Sequence, residues 1–365
     1  MADQFTVINH EKLEKFAQQL LEGVGVAPHR AALVASNLIF GNLRGVDSHG
    51  MQLLPYYLDQ LKNGLINGAE DGDAIRESGG TMLYNAANGL GAVTSSICCD
   101  HAIRLAKQNG IAFVVARDAN HFGAAAYWGR KISSEGLIGF AFCNASPIVP
   151  PYQAKDPRLG TNPICMSVPG PEESSWLLDM ATTTVAANRI FKAYHNKQEE
   201  IPAGWAMDKE GRPTTNTVEA FNGLIMPLGG YKGTGLSVMV EILCAILGGG
   251  AMSTEVGGLR VKDRPMGVSH SFLAIDPAKF VGAEVFGERM DKLTNYLHSA
   301  TPGAGFDEVL IAGEPEARFE KQRKESGIPL GPGEWQRLLD WSATLSVPPP
   351  SAFSSLQKPH SGPSD

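Results

Sequence analysis

Apolar residues near the start of the chain recur at helical spacing. Leu13, Phe16, Ala17, Leu20, Leu21 and Val24 share one face, Asn9 stands where a cap is needed, and Gly23 and Gly25 punctuate the end. A second helix follows Pro28 through Ala31, Val34, Leu38 and Ile39. A third is predicted over MQLLPYYLDQLKNG, after the turn RGVDSHG at 44–50. Residues 1–76 thus read as a helical layer, expected to pack with C-terminal helices at 326–346. From 77 to 325 the pattern alternates between helix and strand. A helix over 93–109 stops at Gly110, and IAFVVAR (111–117) is a buried strand by its length and β-branched content. DANHFGAAAYWGRKISSEG is a loop running into a helix. LIGFAFCNAS, ICMSVP, WLLDMATTT and HSFLAIDP are further strands, and the turn LGGYKGTG (228–235) opens an apolar helix. Helices near 286–299, 314–326 and 333–345 close the fold, and 347–365 has the composition of a disordered tail.

Composition narrows the class. The chain has 365 residues, 43% hydrophobic and 19% charged, which is the balance of a folded globular protein. A net charge of -7, with no basic run, argues against nucleic acid as a partner, because phosphate backbones demand clustered cations. The amphipathic, polar N-terminus does not read as a signal peptide, and no apolar run approaches the roughly 20 residues of a membrane helix. Cys98, Cys99, Cys143, Cys165 and Cys244 lack metal-ligand spacing and sit among apolar neighbours. They are expected to be reduced and buried, in a cytoplasmic protein that binds no metal.

Five stretches could carry chemistry, and each has a plainer alternative. In Asp47-Ser48-His49-Gly50 the histidine can hand over a proton in a cleft, with Ser48 holding its ring; the plainer role is a cap beside a surface His. Asn120-His121-Phe122-Gly123-Ala124-Ala125 lies where a strand gives way to a helix, and free amides there suit a phosphate or carboxylate, though ordinary turns look the same. Gly160-Thr161-Asn162-Pro163 is a polar elbow. Asp179, in Leu178-Asp179-Met180-Ala181, interrupts an apolar strand, so its carboxylate needs a structural donor, a ribose hydroxyl or a nicotinamide amide. Gly229-Gly230-Tyr231-Lys232-Gly233-Thr234-Gly235 is a candidate phosphate cradle without Walker A spacing. No GxGxxG, GxSxG or HExxH occurs in a supporting context, so a standard dinucleotide fold, a serine hydrolase and a zinc site lack support.

Taken in order, RGVDSHG, NHFGAA, GTNPI, LDMATT with IPAGWAMDKEGRPTTN, and GGYKGTGLSVMVEIL resemble the non-Rossmann malate/L-lactate dehydrogenase family, over nearly the whole chain. That family also includes ureidoglycolate and sulfolactate dehydrogenases, diketogulonate reductase and the piperideine/pyrroline-2-carboxylate reductases. The resemblance implies an α/β fold with a mixed seven-stranded sheet, flanked by helices from both chain ends, in a homodimer. It implies NAD or NADP as cofactor and a small 2-oxo or 2-hydroxy acid, or an imino acid, as substrate. By the same resemblance His49 is the proton donor with Ser48 beside it, and His121 has the proton-transfer role in some members. Cofactor contacts fall on His121, Phe122, Gly123, Ala124 and Ala125, on Thr161, on Asp179, Met180 and Ala181, on Tyr231 and Lys232, and on Ile311, Ala312, Gly313 and Glu314.

Two positions depart from the family. Some imino-acid reductases carry an aspartate ten residues after the one matching Asp179, where this chain has Arg189. Several members carry a carboxylate-clamping arginine four residues after the catalytic histidine, where this chain has Leu53. The chain is expected to enter a helix after Gly50, so Leu53 would lie one turn beyond His49, wall the substrate pocket and favour bulkier, apolar 2-oxo acids over oxaloacetate, with the carboxylate passing to backbone amides, Asn144 or another cation; its plainer role is packing against the helical layer. The expected reaction is therefore hydride transfer between NAD(P)H and C2 of a 2-oxo or 2-hydroxy acid. Its rivals are cyclic imino-acid reduction and a non-catalytic binding role.

Overall fold

A computed structural model describes residues 4–170, 175–195 and 197–357. The chain begins with strand β1 (Gln4–Ile8), followed by α1 (His10–Gly23) and α2 (Pro28–Leu43). The Asn9 side chain accepts the Lys12 amide at the start of α1, and Pro28 opens α2, where a missing N–H costs nothing. The next helix is not the unbroken element its pattern suggests. Two single 3-10 turns, Asp47–His49 and Met51–Leu53, are divided by Gly50 (φ −98°, ψ −149°), and only then does α3 (Leu54–Lys62) run.

Strands β2 (Asp73–Ser78) and β3 (Thr81–Asn85) form a hairpin, and α4 (Gly91–Asn109) crosses from β3 to β4 (Ile111–Ala119). Helix α5 (Ala125–Ser133) leads to β5 (Ile138–Cys143), β6 (Ile164–Ser167) and β7 (Leu177–Met180). A small excursion follows: α6 (Ala187–His195), β8 (Ala206–Met207), β9 (Pro213–Thr214), α7 (Thr217–Asn222) and β10 (Leu224–Ile225), which gather Val185, Ile190, Ala193, Ile201, Ala206, Ala220 and Ile225 into an apolar cluster of their own. Helix α8 (Tyr231–Glu241), continued by a π turn (Ile242–Ile246), precedes β11 (Val268–Ile275). The chain ends with α9 (Ala283–His298), α10 (Glu314–Ser326), β12 (Ile328–Leu330), α11 (Pro332–Leu345) and β13 (Ser354–Gln357).

The main sheet has the order β2-β3-β4-β11-β5-β6-β7. Only β3 and β4 run parallel, as a βαβ crossover allows; the other five pairings are antiparallel. This mixed sheet matches the expected fold class and is incompatible with a doubly wound dinucleotide fold. β11 arrives from far along the sequence to occupy the centre between β4 and β5. One apolar core runs without a break from α1, α2 and α3 through α4 and the sheet to Ile328, Leu330 and Leu338. The two chain ends meet: β1 is sandwiched between β12 and β13. The tail expectation is corrected to that extent, since 354–357 pairs with β1 as a strand, while 358–365 lies outside the described residues. Strands β1, β2, β3 and β12 do not announce themselves: β2 is exposed along its whole length, and β3 and β12, though buried at alternate positions, are only five and three residues long.

Candidate active site

Helix α2 builds the site. Gly41 lies so close beneath the next turn that a Cβ there would meet the His49 carbonyl oxygen at 2.8 Å. Asn42 follows it, its amide donating to Asp47 Oδ1 (2.6 Å) and its Oδ1 accepting the Met51 amide (2.8 Å). One turn earlier on α2, Asn37 presses flat on Gly123, whose φ of +77° and missing Cβ make room for it. A single helix therefore sets the spacing between the His49 turn and the His121 loop. The two imidazoles stack at 5.7 Å between centroids with 20° between planes.

The RGVDSHG turn divides its labour. Asp47 takes both guanidinium nitrogens of Arg323 on α10 (2.6 and 3.1 Å), and Arg323 also donates to the Asn42 carbonyl. Arg44 reaches Glu320 (3.1 Å) and the Gly313 carbonyl (3.3 Å). Burial, and then the charge of Asp47, pushes the Glu334 carboxyl behind this turn up to about 8. These groups weld the turn to the C-terminal helices and leave Ser48 and His49 facing outward. Ser48 Oγ lies 3.0 Å from His49 Nδ1.

His121 is held more firmly. The Gly123 N–H, which can only donate, points at its Nδ1 (3.2 Å), so Nδ1 carries the lone pair and the proton resides on Nε2. The Tyr57 hydroxyl, 2.7 Å from the same nitrogen, is then also a donor. Burial holds the Tyr57 phenol well above its ordinary value, so it keeps its proton. Behind the loop, Asn120 donates to the Asn88 and Gly89 carbonyls, and fully buried His270 donates from Nε2 to the Asn120 carbonyl (3.0 Å). Gly91 is obligatory at the head of α4, because a Cβ would strike the Asn120 and His121 carbonyls at 2.2 and 2.3 Å. Burial lowers His49 to about 4; burial, then the neighbouring His49 and His270, lowers His121 to about 3. Both rings are neutral at pH 7.

Asp179 stands in β7 against the start of α5. It keeps solvent contact although protein crowds it, as do His49 and His121, the situation of side chains lining a recess. Its Oδ2 accepts the Ala126 amide (2.8 Å) at the start of α5, and burial raises its carboxyl to about 6. The anion expected at this helix end is thus the protein's own carboxylate. Ile311–Glu314 abuts the same strand: the Leu177 amide donates to the Ala312 carbonyl (3.0 Å), and Glu314 accepts the Ile311 amide (2.9 Å). Beyond Asp179, the amide and hydroxyl of Thr182 donate to the Thr161 carbonyl, and Leu228 donates to Thr182, which brings the Tyr231-Lys232 turn to the end of β7. Lys232 is exposed and makes no ion pair among the described residues. Hydrogen bonds thus link the 121–125 loop, through Ala126, to Asp179, and join the Asp179 strand to 311–314 and, through Thr182, to Thr161 and to Leu228 ahead of Tyr231-Lys232, while Phe122, Ala124 and Ala125 are themselves buried. A carboxylate in a recess, a lysine beside glycines of positive φ (Gly229 +56°, Gly230 +64°) and small residues at α5 fit a dinucleotide's hydroxyls and phosphates.

Two substrate expectations are corrected. Leu53 belongs to a separate 3-10 turn, so the one-turn relation to His49 does not exist; it is 7% exposed and packed into the main core. Asn144 is fully buried and spent: its amide donates to Glu241 (3.3 Å) and the Ala251 carbonyl (2.9 Å), and its Oδ1 accepts the Ser269 amide (2.7 Å). Asn162, in the polar elbow, donates to the same Glu241 (3.1 Å). Tyr57, Asn37, Arg323 and His270 escape the sequence because nothing local marks them. All five cysteines are buried thiols.

Comparison with known proteins decides the lineage. The family model for malate/L-lactate dehydrogenase matches residues 8–339. The chain belongs to this family. It is 35% identical to malate dehydrogenase from Pyrococcus horikoshii over 90% of this chain and 92% of that protein. To L-sulfolactate dehydrogenase from Methanocaldococcus jannaschii it is 36% identical over 87% of this chain and 92% of the relative, and the solved structure of that organism's sulfolactate dehydrogenase superposes with a TM-score of 0.88, covering 93% and 97% of the two chains. The Δ1-piperideine-2-carboxylate reductase structure from Pseudomonas syringae aligns with a TM-score of 0.81 at 26% identity, over 92% and 99%. This malate/L-lactate dehydrogenase family protein is an oxidoreductase acting on CH–OH.

Proposed function

We propose that the protein transfers hydride between NAD(P)H and C2 of a 2-oxo or 2-hydroxy acid, with His49 as the proton donor. A nicotinamide cofactor, when bound, supplies the hydride. The carrying observation is the pair of neutral, stacked imidazoles 5.7 Å apart, only one of which is locked. His121, with Nδ1 saturated by Gly123 and Tyr57, presents a fixed Nε2–H donor toward the carbonyl oxygen. His49, whose Nδ1 meets only a rotatable hydroxyl among the described residues, is free to exchange tautomers. Neutral, it accepts the hydroxyl proton as hydride leaves C2, and in the reducing direction it first takes a proton from solvent and passes that proton to the carbonyl oxygen. Asp179 accepts ribose hydroxyls or the nicotinamide amide, and Lys232 binds cofactor phosphate. The backbone of 121–125, Thr161, 180–181 and 311–314 shapes the bed.

Cyclic imino-acid reduction on the same site is the second reading, favoured by the likeness to the Pseudomonas enzyme. Arg189, standing where some such reductases have aspartate, counts against it. A homodimer fits the exposed apolar row Val238, Ile242, Ile246 and Leu247 on α8 and its π turn, and sizing by light scattering checks it. The reaction is tested by absorbance loss at the reduced-nicotinamide band with pyruvate, oxaloacetate, sulfopyruvate and a cyclic imino acid, using both NADH and NADPH. Turnover of a 2-oxo acid supports the reading; turnover of the imino acid alone transfers it to C=N. No turnover and no change in NAD(P)H fluorescence on adding protein would leave a non-catalytic role.

A further inference from the structure

We infer that Arg260 receives the substrate carboxylate, the task that Leu53 does not perform; this rests on the 2-oxo-acid reading above. Residues 259–262 are fastened along α3. The Nε2 of Gln60, a side chain 1% exposed, donates to both the Leu259 carbonyl (3.0 Å) and the Val261 carbonyl (2.8 Å), so the residue between them has a fixed backbone. Lys262 pairs with Asp59 (3.1 Å) on the same helix.

Helix geometry tells where this segment lies. At about 100° per residue, with Tyr56 at zero, Gln60 falls at about 40° and Tyr57 at about 100°. The clamp is therefore between Tyr56 and the side chain that grips His121. Arg260 runs from this clamp with its guanidinium over the Tyr56 ring (5.2 Å) and the Phe191 ring of α6 (5.5 Å). It bridges α3, in the main core, to the small excursion that follows Asp179 and β7.

Its electrostatics point to an anion. Arg260 makes no ion pair among the described residues. A second guanidinium, Arg337, lies over the same Tyr56 ring (5.3 Å) and donates to its hydroxyl (3.0 Å). Stacking shields the faces of a guanidinium from water while leaving its in-plane N–H groups open, the geometry that grips a carboxylate with two parallel hydrogen bonds. Arg260, one of two cations on this ring and without an ion-pair partner among the described residues, makes a receptor for the acid end of a 2-oxo acid whose carbonyl faces His121 and His49.

The test compares wild type with Arg260→Leu and Arg260→Lys in two measurements. These are steady-state kinetics with pyruvate and with its neutral amide, and calorimetric binding of oxamate to enzyme saturated with reduced cofactor. Loss of a charged, bidentate contact predicts that Arg260→Leu raises KM for pyruvate and weakens oxamate by about ten- to a hundredfold. The cofactor KM should stay within about twofold and the preference for acid over amide should collapse, with Arg260→Lys between. Folded Arg260→Leu protein with unchanged oxamate affinity and unchanged pyruvate KM overturns the assignment and leaves the reaction standing. Wild type that binds oxamate through Arg260 but reduces no 2-oxo acid overturns the reaction and keeps the carboxylate site. Wild type that neither binds oxamate nor turns over overturns both.

Discussion

The His49 turn and the His121 loop sit against one face of α2, and burial keeps both imidazoles neutral, yet they are built for different ends. His121 is immobilised by one backbone amide, one phenol and, through Asn120 and His270, a buried polar cluster. Among the described residues the His49 ring has a hydroxyl as its one hydrogen-bond partner, and the firm anchoring of its turn goes through Asp47 and Arg323 to backbone next door. A group that must gain and lose a proton needs freedom of tautomer, whereas a group that orients a carbonyl needs the opposite. The comparison teaches that two histidines with similarly lowered values can be told apart by what holds Nδ1, a backbone amide and a phenol in one and a rotatable hydroxyl in the other.

The largest test of that difference is His49→Ala, which should lower kcat by about a hundred- to ten-thousandfold while leaving cofactor affinity intact. His121→Gln, which keeps an amide donor, should cost less; the reverse ranking in rapid-mixing turnover would pass the proton role to His121. Next comes Gly41→Ala. Its Cβ would meet the His49 carbonyl at 2.8 Å and displace the turn, so kcat should fall by about ten- to a hundredfold with the fold retained by circular dichroism. Tyr57→Phe removes one of two donors to His121 Nδ1 and should lower kcat by about tenfold, with the Gly123 amide preserving the tautomer.

Smaller effects concern pH. Asp179, raised to about 6, accepts hydroxyl donors best as the carboxylate, so the cofactor KM should rise severalfold as pH falls through 6. Asp179→Asn should flatten that limb. His49, His121 and His270 remain neutral when folded down to about 4, 3 and 3, whereas the unfolded chain takes up these protons near 6.5. Between those values the unfolded state binds more protons, so stability is lost as pH falls from about 6.5 toward 4. Melting temperatures across this range check it, and His270→Gln should reduce the slope if it folds.

Helices α1 to α5 and α8 to α11, the buried strands β4, β5, β6 and β11 and the order of five motifs were legible, because each rests on local periodicity, turn chemistry or a contiguous string of residues; α6 and α7 of the small excursion were not. Exposed β2 and the short β12 were not legible either: β2 has no buried face, and β12, with Ile328 and Leu330 buried about Pro329, is too short to set a period. Among the candidate site residues, His49, Ser48, His121, Asp179 and Lys232 stand out in the sequence because their chemistry is unusual for their surroundings. Leu53 misled because the helix argument assumed continuity through Gly50, and Asn144 misled because its partners Glu241 and Ser269 are 97 and 125 residues away.

The sequence by itself determined the class of protein, the lineage and the candidates for moving a proton or holding a phosphate. The tertiary structure decided which member of each motif faces the cleft and which one holds the turn. Asp47 and Ser48-His49 are adjacent in the chain, but Arg323, 276 residues on, claims the first and leaves the others free. Burial, and with it neutral imidazoles and a raised Asp179, arises only when segments distant in sequence crowd one recess. Charge states and hydrogen-bond partners are properties of that crowding, and no local pattern of residues encodes them.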